Sequence, residues 1–75
     1  MKDTHSFTWK EVTRDRDFRT EYMGYTGEVW ESVEGQYWYW SIKSGDFYMK
    51  SRVRSREKAL ERAEENIIKC LRADL

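Results

Sequence analysis

Residues 36–42 read Gln-Tyr-Trp-Tyr-Trp-Ser-Ile, with tyrosine and tryptophan alternating over four consecutive positions. A strand sends neighbouring side chains to opposite faces, so this run forces two different aromatic faces onto one sheet. Trp38, Trp40 and Ile42 share one face, and Tyr37 and Tyr39 share the other. Indoles suit a core. Phenol rings, with their polar tips, suit a surface that meets something.

The flanking residues extend the pattern into a meander. Val29 and Val33 fall on one parity and Glu28 and Trp30 on the other. Glu34-Gly35 reads as a two-residue hairpin turn, with glycine free to take positive φ. That turn pairs Trp30 with Tyr39 and Val29 with Trp40. A second turn at Ser44-Gly45 pairs Lys43 with Asp46, Ile42 with Phe47, Trp40 with Met49 and Tyr39 with Lys50. Both turns assign the same face to the core, and agreement between independent local signals is the strongest support for a fold.

After the meander, Ser55 reads as a helix N-cap, with Glu57 in the first turn where the macrodipole favours an acid. Residues 56–73 then contain neither Gly nor Pro. Ala59, Leu60, Ala63, Ile67, Cys70 and Leu71 form an apolar stripe. The predicted helix lies across Val29, Trp38, Trp40, Ile42, Phe47, Met49 and Val53. The expected fold is α+β: an antiparallel three- to four-stranded β-meander packed on one face by a C-terminal α-helix. It is a single domain, with a poorly defined strand or loop over residues 1–21, the meander over 22–54 and the helix over 55–73. Phe7 and Trp9 suggest a short strand near residues 5–12, and residues 13–17 read as a charged turn.

At 75 residues the core is small, so the aromatics must carry much of it and a homodimer is a reasonable supplement. Fourteen basic and fourteen acidic residues cancel, but unevenly along the chain. Residues 21–34 hold four acids and no base, whereas residues 43–58 hold six bases against Asp46 and Glu57. Such asymmetry orients a protein on a partner. The single cysteine, Cys70, rules out an internal disulfide and points to a reducing, cytoplasmic setting. No apolar run approaches a membrane span and no signal-peptide core follows Met1, so no membrane association is expected.

Catalysis finds little to work with. His5 is the only histidine, no Cys/His set has metal-ligand spacing, and no Gly-rich loop leads from a strand into a helix. No enzyme activity, metal or cofactor is expected. The candidate site is the face opposite the helix: Trp30, Tyr37, Tyr39 and Tyr48, flanked by Lys50, Arg52 and Arg54. Aromatics edged with cations anchor protein interfaces, and they also stack bases and hold phosphates. A macromolecular protein or nucleoprotein partner is the leading reading, with nucleic acid and self-association as alternatives. A further alternative has Phe7 and Trp9 folding over this face. Glu28, Glu31 and Glu34 are secondary candidates, as an acidic mimic of phosphate.

Two resemblances add to this. Ser55-Arg56-Glu57-Lys58-Ala59, followed by Ala63, is similar to the start of the last helix of double-stranded-RNA-binding domains. That likeness implies phosphate contacts from Arg56 and Lys58, although the family's first helix is missing and Glu57 interrupts the basic run. Gly24-Tyr25-Thr26-Gly27-Glu28-Val29-Trp30, Trp40-Ser41-Ile42 and the Ser55-led Ala-rich helix resemble small phage-encoded and prophage-encoded strand–strand–strand–helix proteins. Some phage proteins of this size are anti-CRISPR inhibitors. That resemblance implies a non-enzymatic inhibitor acting on a host CRISPR effector in the bacterial cytoplasm, and it transfers no inhibitory residues.

Overall fold

A computed structural model describes residues 6–12 and 17–73. It contains five antiparallel strands, β1 (Lys10–Glu11), β2 (Phe18–Tyr22), β3 (Tyr25–Glu31), β4 (Trp38–Ser44) and β5 (Phe47–Val53), followed by helix α1 (Arg56–Ala73). The strands pair in chain order, so the sheet is a pure meander with β1 and β5 at its edges. The helix packs on β3 and β4 and only marginally on β5. This is the expected α+β architecture, with β2 added between the short first strand and the three strands of the meander.

The parity of the aromatic run holds. Val29, Trp40 and Ile42 are buried beneath Ala59, Ala63 and Ile67, with Trp38, Met49, Val53, Leu60, Cys70 and Leu71 packed around them. The two alanines bring the helix axis close to the sheet while Ile67 fills the space beside them. Phe47 is the exception on this face. It is 39% exposed, because the helix does not reach the turn end of β5.

Both expected turns need adjustment. The β3–β4 register is as read, with Val29 opposite Trp40 and Trp30 opposite Tyr39. The connection, however, is a four-residue loop: Ser32 N–H donates to the Tyr37 carbonyl at 2.8 Å, and Val33 stands fully exposed. Two-residue and four-residue loops centred on Glu34-Gly35 share one register, so the pairing survives the wider loop. At the second turn the loop is Gly45-Asp46, not Ser44-Gly45, and Ser44 pairs with Phe47. Gly45 alone takes positive φ there (59°), the type II′ pattern that wants glycine at its first central position. The partners therefore shift by two: Lys43 faces Tyr48, Ile42 faces Met49, Trp40 faces Ser51 and Tyr39 faces Arg52. A shift of two leaves every side chain on its expected face.

The N-terminal reading changes most. The strand expected near residues 5–12 is confined to Lys10–Glu11, and residues 1–5 and most of the expected charged turn lie outside the described residues. Phe7 and Trp9 do not cover the tyrosine face. They pack on the helix side, where the Phe7 and Tyr22 rings lie 4.4 Å apart and Trp9 Nε1–H donates to Glu64 Oε2 at 2.7 Å. Gly27 makes this possible: a Cβ there would sit 3.2 Å from Trp9 Cη2 and 3.1 Å from Thr20 Cγ2.

The helix begins as read. Ser55 Oγ accepts from the Lys58 N–H at 3.1 Å, with Glu57 in the first turn and Arg72 in the last. No helix among the described residues is long and apolar enough to cross a membrane.

Candidate functional site: the outer sheet face

The face away from the helix is built in cross-strand rows. Lys10, Arg19, Glu28, Ser41 and Lys50 make one row across all five strands, and Trp30, Tyr39 and Arg52 make the next. Directly opposed residues on one face bring their side chains into contact range, and diagonal neighbours remain within reach of long ones. Trp30 and Tyr39 accordingly stack, with centroids 5.6 Å apart and ring planes 22° apart.

The cations lie on top of this layer. Lys50 Nζ sits 5.5 Å from the Trp30 centroid and 5.2 Å from that of Tyr39. Arg52 Cζ sits 4.3 Å above the Tyr37 ring. Both reach diagonally inward across the sheet. The electron-rich ring faces attract the cations, and each such contact contributes about 0.5–1 kcal/mol at an exposed site. Ser41, whose short side chain shares this face, is only 4% exposed. The site is thus layered: sheet, aromatic rings, then positive charge facing solvent.

Of the expected residues, Trp30, Tyr37, Tyr39, Lys50 and Arg52 come together in this cluster. Tyr48 is on the same face and 59% exposed, but it lies opposite Lys43 at the other end of the sheet. Arg54 is exposed just past the end of β5. The acidic trio does not form one patch. Glu28 is on the outer face between Arg19 and Ser41, whereas Glu31 has the opposite parity and Glu34 lies in the β3–β4 loop. Glu31 and Glu34 instead border a shallow cavity of about 380 Å³ whose aromatic wall is Trp30, Tyr37 and Tyr39, with Arg52 at its rim. Arg56 and Lys58 are engaged locally: Arg56 Cζ lies 5.6 Å over the Phe18 ring, and Lys58 Nζ is 3.5 Å from Glu61.

Sequence reasoning missed Arg19, which joins this face through β2 and lies 3.4 Å from Glu21. The alternation Phe-Arg-Thr-Glu-Tyr over residues 18–22 carried that signal. No group of three or more His, Cys, Asp or Glu residues among the described ones is placed to hold a metal ion. Comparison with protein-family models, with curated proteins and with solved structures returns no match.

Proposed function

We propose that this chain is a non-enzymatic binding protein that docks its outer sheet face on acidic groups of a protein or nucleoprotein partner. The observation that carries this reading is the seating of Lys50 and Arg52 over Trp30, Tyr39 and Tyr37 on a face that the described N-terminal residues leave open. A cation resting on a ring is pre-oriented, so less conformational entropy is lost when its remaining N–H groups meet a carboxylate or phosphate. Trp, Tyr and Arg are also the side chains that dominate binding energy where they cluster.

The same layering favours anion pairing over base stacking. Stacking a base needs a free ring face, and here the faces of Trp30, Tyr39 and Tyr37 are shared with one another or with a cation. Single-stranded nucleic acid therefore ranks second, and duplex RNA through Arg56 and Lys58 ranks lower still. An inhibitor of a host CRISPR effector, acting in the bacterial cytoplasm, is the most concrete version and rests on the sequence resemblance alone.

The test is capture from bacterial lysate by the immobilised chain, with and without nuclease, beside the double variant Lys50→Glu, Arg52→Glu. The expected result is a discrete protein or nucleoprotein retained by the parent and lost by the variant. An identical retained set on both would remove the outer face from the proposal. For the inhibitor version, plasmid survival under active CRISPR targeting should rise with the parent chain and not with the variant. Unchanged survival across effector types sinks it.

A further inference from the structure

The other exposed feature of the sheet is the free edge of β5. This strand runs seven residues without proline or glycine, and among the described residues no element lies on its far side. Proteins usually blunt such an edge with charged side chains that stand over it. Lys50 and Arg52 are positioned to do so, yet both lean the other way. Lys50 reaches as far as Trp30 on β3, two strands in from the edge. The backbone of β5 is left open, with Phe47 39% and Tyr48 59% exposed beside it.

We propose that β5 pairs antiparallel with β5 of a second copy of this chain, about a two-fold axis at Met49. The residues choose that register. Full overlap of the two strands would set Lys50 opposite Lys50 of the other copy, and like charges directly opposed are unfavourable. Moving the axis to Met49 sets Met49 opposite itself, Tyr48 opposite Lys50 and Asp46 opposite Arg52. Unlike charges then meet at both ends of the ladder. Direct contact requires Arg52 to swing off Tyr37, which exchanges one cation–π contact for an ion pair across the new ladder.

On the helix side, the exposed Phe47 of each copy comes beside Met49 at the margin of the core, so the apolar surfaces of the two copies join across the axis. The two-residue Gly45-Asp46 loop makes Ser44 and Phe47 a hydrogen-bonded pair, so the alternate residues Tyr48, Lys50 and Arg52 turn their N–H and C=O groups outward. These groups form the new ladder. The symmetric pairing closes at two copies, whereas joining β5 to the opposite edge would propagate without end. Both outer faces end on the same side of a continuous sheet, which doubles the proposed docking surface.

One strand against another is a small interface, so the association should depend on concentration. Sedimentation equilibrium of the purified chain should show the mass rising from one copy towards two. Lys50→Pro removes an outward N–H but no bond to β4, and should return the mass to one copy. Asp46→Arg should weaken the dimer, and adding Arg52→Asp should restore it.

The register has its own readout. At a non-hydrogen-bonded pair the Cα atoms are about 4.5 Å apart, within disulfide range. In a Cys70→Ser background, Met49→Cys should therefore cross-link to itself on mild oxidation, and Ser51→Cys should not. A mass fixed at one copy at every concentration overturns the proposal. So does a dimer that survives Lys50→Pro, or one in which Met49→Cys fails to cross-link. None of these readouts involves the docking partner, so they stand or fall separately from the proposed function.

Discussion

Trp9 and Glu64 are 55 residues apart in sequence, and the indole N–H of one donates to the carboxylate of the other at 2.7 Å. This bond ties the described N-terminal residues to the helix side of the sheet, which is why they leave the tyrosine face open. Hydrogen bonds to charged groups contribute about 1.5–3 kcal/mol, and a half-buried one falls at the lower end. Glu64→Ala should therefore lower stability by about 1–2 kcal/mol. Glu64→Gln, which keeps an acceptor, should lose less. Urea denaturation with an unchanged m-value checks both.

Gly27 and Thr20 face each other across β2 and β3 at the point where Trp9 and Ile67 converge. A methyl at Gly27 would meet Thr20 Cγ2 at 3.1 Å, Trp9 Cη2 at 3.2 Å and Ile67 Cδ1 at 3.5 Å. Overpacking of this kind costs about 1–3 kcal/mol. Gly27→Ala should lower the denaturation midpoint and raise the accessibility of Trp9 to a fluorescence quencher. An unchanged midpoint would mean that Trp9 is not held where the structure puts it.

Thr20 itself should respond in the opposite direction. Its hydroxyl is buried with no hydrogen-bond partner among the described residues. Burying a polar group without a partner costs about 1–3 kcal/mol, and an apolar group of the same shape avoids that cost. Thr20→Val should raise stability by about 1 kcal/mol and keep the β-branched shape that strands favour. A loss of stability would show that the hydroxyl finds a partner in solution.

The β2–β3 turn explains why so much of the first third of the fold was hard to read. Tyr22 pairs with Tyr25 around Met23-Gly24, and both central residues take positive φ, 50° and 87°. Asn-Gly or Asp-Gly announces that geometry in a sequence, but methionine does not. With the turn hidden, the alternation of Phe18, Thr20 and Tyr22 against Arg19 and Glu21 had no partner strand to give it meaning. The aromatic run, by contrast, carried its own parity, so the core and the outer face were legible without the correct β4–β5 turn. The inward lean of Lys50 and Arg52 was not, because a diagonal contact depends on the register that the misplaced turn had shifted. Met23→Asn should relieve the left-handed strain and stabilise the chain by about 1 kcal/mol. Thermal unfolding reads the gain, and no gain would mean that another contact holds Met23.

Lys50 separates stability from binding. Its ammonium rests over Trp30 and Tyr39, while its methylene stem covers the outer sheet face near Ser41. Lys50→Met keeps most of the stem and removes the charge. The cation–π attraction is worth about 0.5–1 kcal/mol at an exposed position, so unfolding should shift by no more than that. Recognition of an anionic partner should suffer far more. Removing one charge-assisted hydrogen bond at an interface centre costs about 2 kcal/mol or more, roughly thirtyfold in affinity. Isothermal titration with the partner captured by the parent chain would measure this beside a Lys69→Met control, whose residue is exposed on the helix. Equal affinity for Lys50→Met and the control would mean that the charge over the aromatic row takes no part in docking. The layered face would then be only a way of keeping two cations on a small sheet.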